Sequence, residues 1–118
     1  MAHRRQRVEE QLQREISRIV LERLHDPRRA LFSVTAVRAS ADLRHAFVYV
    51  SILGAPGDVA RTLEVLGKAR GFVRRELGAA LRLRHVPEVE FREDENLRRE
   101  TRVEEILEQL KGGRESEE

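Results

Sequence analysis

The segment Gly67-Lys68-Ala69-Arg70-Gly71 decides how the middle of this chain folds. Apolar residues at helical spacing lie on both sides of it: Val59, Leu63 and Leu66 before it, and Phe72, Val73, Leu77, Ala80 and Leu81 after it. An interior glycine costs a helix about 1 kcal/mol relative to alanine, so two glycines this close favour a break. The pattern predicts two successive helices with a kink at Ala69 and Gly71. One unbroken helix is the alternative, because the same apolar positions would also line a single face.

Hydrophobic periodicity predicts four further elements in the first 92 residues. Apolar residues from Val8 to Leu24 recur at steps of three and four, which is typical of one helix face. Alternating runs predict an antiparallel pair of strands over 32–37 and 46–52, and a third strand around Val89 and Phe91. Asp58 is expected to cap the helix that precedes the break. The predicted order is helix, strand, strand, helix, helix, strand.

The carboxyl-terminal part of the sequence has its own helix signal. The sequence Thr101-Arg102-Val103-Glu104 has the pattern of a capping box, and apolar residues follow at helical spacing until Gly112-Gly113. We therefore expect a main domain over residues 1–96, a short amphipathic helix over 97–111 and a flexible acidic tail over 112–118.

Composition limits the class of protein. A chain of 118 residues, with 40% hydrophobic and 37% charged residues, can form one domain around one modest core. The absence of cysteine excludes disulfides, thiolate metal sites and cysteine nucleophiles, and it fits a reducing cytoplasm. No apolar run is long enough for a membrane span, and the amino terminus lacks the core of a signal peptide.

Catalytic and metal motifs are missing from the sequence. The four histidines, His3, His25, His45 and His85, fall in different predicted elements without metal-ligand spacing, so we expect no metal and no cofactor. The adjacent Asp94 and Glu95 fit an exposed turn better than a catalytic carboxylate pair. No phosphate-binding loop, dinucleotide fingerprint or serine-nucleophile motif occurs, so no catalytic residue is predicted.

Positive charge concentrates in the main domain. Residues 1–92 contain 18 basic and 11 acidic side chains, whereas residues 93–118 contain 5 basic and 10 acidic ones. Nearly all the cations are arginines, which form bidentate contacts with phosphate. The alternative explanations of this charge pattern are genome composition or adaptation to heat for the arginines, and a solubilising role for the acidic tail.

The cations around the predicted kink have few acidic neighbours in the sequence, which favours phosphate contact over a self-paired helix surface. The helix that restarts near Phe72 would also offer free backbone amides to an anion. The predicted RNA-binding residues are Arg4, Arg5, Arg7, Lys68, Arg70, Arg74, Arg75, Arg82 and Arg84. Only 4% of residues are aromatic, and Phe47, Tyr49, Phe72 and Phe91 are expected to serve the core. Recognition of RNA backbone and shape is therefore favoured over base stacking.

Several blocks of sequence resemble the ribosome-binding factor A family. They are Arg7-Val8, Glu15-Ile16, Asp26-Pro27-Arg28, Ser40-Ala41-Asp42-Leu43, Ala46-Phe47-Val48-Tyr49-Val50-Ser51, Ala69-Arg70-Gly71-Phe72, Leu77-Gly78, Leu81-Arg82-Leu83-Arg84-His85-Val86-Pro87-Glu88, Phe91 and Asp94. The resemblance covers about residues 7–110. It implies an α+β fold similar to type II KH domains, with three helices on one face of a three-stranded sheet and the order αββααβ. The Ala69-Arg70-Gly71 kink would replace the usual Gly-x-x-Gly loop.

The resemblance also implies a function. Members of this family bind the free small (30S) ribosomal subunit and its 16S rRNA, and they assist late maturation and 5′-end processing without catalysis. It further implies importance in the cold, release promoted by an assembly GTPase, and a monomer in the cytoplasm. Two alternatives remain: an adaptor that binds protein on the ribosome or another ribonucleoprotein, and a small RNA-processing enzyme.

Overall fold

Three helices and three strands follow one another in the order predicted from the sequence. The computed structural model of the chain describes residues 2–95. Its elements are α1 (Ala2–Glu22), β1 (Phe32–Ala39), β2 (His45–Ile52), α2 (Pro56–Lys68), α3 (Arg70–Leu81) and β3 (Glu88–Glu93). The predicted helix over 97–111 and the tail over 112–118 lie outside the described residues.

The sheet has the order β1-β2-β3, with β2 in the centre. β1 pairs antiparallel with β2, from Phe32 opposite Ile52 to Ala39 opposite Ala46. β3 pairs parallel with β2, because the chain returns to the starting end of β2 through α2 and α3. The sheet is therefore mixed, and the predicted α+β class with an antiparallel first pair is confirmed.

The core lies between the helices and one face of the sheet. Ala46, Val48 and Val50 alternate along β2 and are fully buried, as expected for every second residue of a strand. The helices cover this face with fully buried residues that include Ile16, Ile19, Leu66, Val73 and Leu77. Burial of each such side chain stabilises the fold by roughly 1.5–3 kcal/mol.

Two of the four aromatic residues expected in the core lie elsewhere. Phe47 and Tyr49 alternate with the buried residues of β2, so they project from the opposite face of the sheet and are half-buried. Phe72 and Phe91 do pack against the core. The expectation for Phe47 and Tyr49 was wrong because the small and β-branched positions of β2, and not the aromatic ones, face the helices.

The start of α2 also differs from the expectation. The helix begins at Pro56 after Ala55, and Asp58 lies inside the first turn, where its Oδ2 accepts a hydrogen bond from the Ala55 amide at 3.0 Å. Gly54 precedes this turn with φ +147, a conformation that favours glycine. Asp58 therefore satisfies an amide at the helix start from within the helix rather than from the position before it.

Polar side chains of α1 cover the outer edge of β1. Glu9 Oε2 accepts a hydrogen bond from the Ala39 amide at 2.9 Å, and Gln13 Nε2 donates to the Thr35 carbonyl at 3.3 Å. Thr35 lies at a register shift of β1, which is a β-bulge between Val34 and Ala36. These contacts satisfy edge groups that would otherwise be open to pairing, and they fix the start of α1 beside the end of β1.

Candidate nucleic-acid interface

The helix break lies at Ala69. Its φ of −85 and ψ of 0 leave the α-helical region, and its amide donates to the carbonyls of Val65 and Leu66, both at 3.1 Å. α3 then begins at Arg70, and the Val73 amide donates to the Ala69 carbonyl at 2.9 Å. The alternative of one unbroken helix does not hold, since a single residue in the bridge region separates α2 from α3.

Gly67 and Gly71 lie on either side of the break and face open space. A Cβ built on either glycine would meet no atom within 4 Å, apart from its own helix and chain neighbours. Glycine is therefore not required there by internal packing. Its effect is to leave the backbone bare, so that a ligand can approach it closely.

An open depression of about 700 Å³ separates the helix break from the start of β3. The break side contributes Glu64, Gly67, Lys68, Arg70, Gly71 and Arg74, and the strand side contributes Glu88 and Val89. Three of the predicted RNA-binding cations thus line one concavity. The first turn of α3 lies in the same wall of the depression. The first amides of an α-helix have no hydrogen-bond partner within the helix, so they can bind an anion.

Arg70 and Arg74 are held in place without loss of their charge. Arg70 Nε donates to the Gly67 carbonyl at 3.0 Å, and Arg74 donates to the Val86 carbonyl from Nη2 at 3.0 Å and from Nε at 3.4 Å. Carbonyl acceptors orient a guanidinium but do not neutralise it, and its other N–H groups remain able to donate. Both side chains are therefore suited to bind an anion in the depression.

Lys68 differs from these arginines because it has an anionic partner. Its Nζ lies 3.2 Å from Glu64 Oε1, and both side chains are about two-thirds exposed, at 64% and 66%. Exposed pairs of this kind are worth about 0–1 kcal/mol, so phosphate could replace the carboxylate at little cost. Glu76, the other acidic residue near the break in sequence, pairs instead with Arg23, just after α1, at 3.6 Å.

The remaining cations of α3 and its following loop lie outside the depression. Arg75, Arg82 and Arg84 are exposed, and within residues 4–95 none of them has a carboxylate oxygen within 4 Å. Arg82 ends α3 in the left-handed conformation, with φ 48 and ψ 44. A non-glycine residue there is strained, and strain of this kind often accompanies functional positions.

The start of α1 lies at the same end of the sheet as the depression. Arg4, Arg5 and Arg7 are exposed in the first turns of α1, next to Glu9, which binds the last residue of β1. The Glu88 amide, at the start of β3, donates to the Arg44 carbonyl in the β1–β2 turn at 2.8 Å. This turn therefore lies between the cations at the start of α1 and the cations of the depression.

Sequence reasoning missed Arg44. The turn that carries it is well ordered: Asp42 Oδ1 accepts from the Ser40 hydroxyl at 2.7 Å and from the Arg44 amide at 3.1 Å. These hydrogen bonds, chiefly the one from Ser40, lower the pKa of Asp42. Arg44 is exposed, and the Asp-containing turn was the available signal for its fixed position. We use "basic end" for the surface formed by Arg4, Arg5, Arg7, Arg44, Lys68, Arg70 and Arg74.

Metal sites and membrane spans are both missing from the described residues. Across this part of the chain, no group of three histidine, aspartate or glutamate side chains is placed to hold a metal ion. Over the same residues, no helix is both long and apolar enough to span a membrane.

The fold and the site together define a small α+β protein with a group of exposed cations at one end of a single sheet. The sequence matches the ribosome-binding factor A family over residues 4–107, and the chain belongs to that family. The family is one of ribosome-binding factors, so the chain is not an enzyme, as the sequence analysis expected.

Individual relatives agree over most of the chain. Ribosome-binding factor A of Natranaerobius thermophilus is 42% identical over 110 residues, covering 93% of this chain and 84% of the relative. The protein of Caldanaerobacter subterraneus subsp. tengcongensis is 39% identical over 111 residues, covering 93% and 91%.

Solved structures of the family share the fold. The crystal structure of ribosome-binding factor A from Thermus thermophilus superimposes with a TM-score of 0.68 at 30% identity, covering 75% of this chain and 93% of that one. A Thermus thermophilus homology model fitted into the cryo-EM map of a 30S complex gives a TM-score of 0.62 at 32% identity, covering 73% and 90%.

Proposed function

We propose that this protein binds the free small (30S) ribosomal subunit through its 16S rRNA, and that it assists late maturation and 5′-end processing of that rRNA without catalysis. One observation carries the proposal. Arg70 and Arg74 are oriented by backbone carbonyls, beside two glycines whose Cβ positions are open. A backbone that can be approached closely and two uncompensated guanidinium groups suit the phosphates of structured RNA.

The remaining cations of the basic end extend the same surface. Arg44 lies next to the strand side of the depression, and Arg4, Arg5 and Arg7 lie beyond it on α1. Arg75, Arg82 and Arg84 are included in the proposed contact set because they are exposed and have no carboxylate partner among residues 4–95. Binding of this type releases counterions, so affinity falls steeply with salt.

The mechanism is one of occupancy. The chain holds rRNA in one arrangement and dissociates when the subunit matures, with an assembly GTPase promoting its release. Action as a cytoplasmic monomer and importance in the cold belong to the same proposal. The family membership and the 30S complex of a structural relative support it.

The test is co-sedimentation of the full chain with purified small subunits. The double variant Arg70→Glu with Arg74→Glu should bind at least about tenfold more weakly, while its thermal stability changes little because exposed arginines contribute little to folding. The control is Arg18→Glu with Arg61→Glu, which changes the net charge equally at exposed sites on other surfaces. Its thermal melt is measured as well, because these two arginines lose ion pairs with Glu15, Glu22 and Asp58. An equal loss of affinity in both double variants would show that net charge alone causes the effect. Unchanged affinity in the Arg70, Arg74 variant would exclude the depression as the site.

An adaptor that binds protein is the second candidate, and one surface feature favours it. Leu31 and Leu53 are 70% and 71% exposed, and the Leu53 amide donates to the Leu31 carbonyl at 2.8 Å, so the two leucines are neighbours. Nuclease treatment distinguishes the two functions. Partners that remain bound after complete RNA digestion, and that are lost from a Leu31→Ser, Leu53→Ser variant, would support the adaptor.

A further inference from the structure

The face of the sheet opposite the helices carries two aromatic side chains. Phe47 and Tyr49 project from it on the central strand, two residues apart and half-buried. In the sheet register Arg38 of β1 lies opposite Phe47, and Arg92 of β3 lies opposite Tyr49. An aromatic pair flanked by arginines from both neighbouring strands is thus arranged on one face.

One contact within the protein shows that a flat group fits on this face. The guanidinium carbon of Arg92 lies 4.4 Å from the centroid of the Phe47 ring, which is the distance of a stacked cation–π pair. Its ion pair with Glu90 is weak, with atoms 3.5 Å apart and both side chains about half exposed. A nucleobase stacks on aromatic rings and on guanidinium planes at similar distances.

The aromatic face is continuous with the basic end. β2 begins at His45, directly after Arg44, and Phe47 and Tyr49 follow at two-residue steps. At about 3.3 Å per residue, Phe47 lies roughly 10 Å from Arg44 along the strand. A polynucleotide bound at the basic end therefore has a short path onto this face. Glu88 and Glu90 border that path on β3, so stacking rather than charge must supply the binding energy here.

We propose that this open sheet face is a second RNA site, on which unpaired bases of a single strand stack against Tyr49 and, in place of the Arg92 guanidinium, against Phe47. Duplex RNA cannot use it, because its bases are already stacked on each other. The inference rests on the proposed function for its ligand class. It adds a preference for single-stranded RNA that the depression alone does not provide.

The sequence supplies a direct reporter of this face. Tyr49 is the only tyrosine and the chain has no tryptophan, so its emission reports on this site alone. The full chain is titrated with a short oligouridylate and with an RNA duplex of equal length, and binding is followed separately by anisotropy of a labelled oligonucleotide. The single strand should quench Tyr49 emission in proportion to its binding, and the duplex should bind without quenching.

Variants on the face make the test specific. Phe47→Leu keeps an apolar side chain but removes the ring, and it should weaken oligouridylate binding at least about fivefold, the loss typical of one stacked base. The matched control Ser51→Ala, on the same strand and face but beyond the aromatic pair, should bind as the parent does. Far-UV circular dichroism and a thermal melt establish that each variant is folded.

Three outcomes would overturn the inference. Tyr49 emission that stays constant while the labelled strand saturates would exclude stacking at this face. Loss of small-subunit binding by Phe47→Leu, with oligouridylate binding unchanged, would identify a protein-docking face, and an altered sedimentation mass would identify a contact with a second copy. The variant Arg70→Glu with Arg74→Glu keeps both aromatic residues. If that variant binds small subunits normally and its Tyr49 emission is still quenched, the depression is not the subunit-binding site, whereas the aromatic face remains an RNA site.

Discussion

Gly78 and Gly71 lie in the same helix, yet alanine should be tolerated less well at Gly78 than at Gly71. A Cβ at Gly78 would lie 2.7 Å from Cγ2 of Val86, much closer than nonbonded carbons approach, whereas a Cβ at Gly71 would meet nothing within 4 Å. Val86 is β-branched, and its carbonyl is held by Arg74, so it has little freedom to move aside. The close packing of α3 on the segment before β3 therefore depends on Gly78.

The magnitudes follow from two opposing terms. Replacing a helical glycine by alanine stabilises a helix by about 1 kcal/mol, and this gain applies at both positions. An added methyl group in a tightly packed site costs about 1–3 kcal/mol, and this cost applies only at Gly78. Gly71→Ala should therefore raise the free energy of unfolding by up to about 1 kcal/mol. Gly78→Ala should be about 1–3 kcal/mol less stable than Gly71→Ala.

Urea denaturation followed by circular dichroism measures both values, provided that the m-values of the variants agree. Adding Val86→Ala to Gly78→Ala should recover part of the loss, which a double-mutant cycle detects as favourable coupling. Gly71→Ala should nevertheless weaken binding to small subunits, because its methyl group covers the bare backbone of the depression. Equal stability of Gly78→Ala and Gly71→Ala would refute the close approach of α3 to Val86.

Three further predictions concern stability. Thr62 is fully buried, and its hydroxyl accepts a hydrogen bond from the Ala30 amide and donates one to the Asp58 carbonyl, both at 2.8 Å. Thr62→Val should therefore lower the free energy of unfolding by about 1–2 kcal/mol in urea denaturation. An equally large loss in Thr62→Ser, which keeps the hydroxyl, would contradict this role. Arg82→Gly should stabilise the fold by about 1 kcal/mol by relieving its left-handed conformation, and a similar gain in Arg82→Ala, which keeps the strain, would show that another effect is responsible. Hydrogen bonds from the Arg28 side chain, and secondly from the Arg28 amide, lower the pKa of Asp26 from 3.8 to about 2. The ionised Asp26 carboxylate therefore stabilises the folded state above pH 4, and this contribution is lost as the pH falls from about 4 to about 2. Asp26→Asn should therefore melt below the parent at pH 7 and approach it across that window, and a gap independent of pH would argue against the linkage.

The helices and strands were predictable because each has a clear hydrophobic period. Residues Val8 to Leu24 repeat at helical steps, and the two glycines around Ala69 break a second helical pattern, so the order of elements followed directly. The antiparallel pairing of β1 with β2 was also predictable, since a short turn joins them. The parallel pairing of β3 beside β2 depends on how the helices pack over the sheet, which periodicity does not report.

The orientation of β2 shows why the face of a strand is harder to predict. Ala46, Val48 and Val50 alternate with Phe47, Tyr49 and Ser51, so both sets contain apolar residues and hydrophobicity does not identify the inner one. The helices leave room for small and β-branched side chains, and the aromatic rings occupy the open face. A sequence-based argument that assigns all aromatic residues to the core fails in such a strand.

Part of the candidate site was equally inaccessible to sequence reasoning. The cations around Ala69 were identified because they are close together in sequence and have few acidic neighbours. Arg44 is far from them in sequence, and only the hydrogen bond between Glu88 and Arg44 shows that its turn borders the depression. The partner of Glu76 was also unforeseen, because Arg23 lies far from it in the sequence.

The salt dependence of binding to purified small subunits tests the central claim most directly. The equilibrium constant is measured for the parent and for Arg70→Ala with Arg74→Ala over a range of potassium chloride concentrations. Phosphate contacts at the depression predict a steep logarithmic slope for the parent, and a slope smaller by about two in the variant, or about one for each arginine removed. A parent affinity that does not change with salt, or equal slopes in the two proteins, would contradict the account.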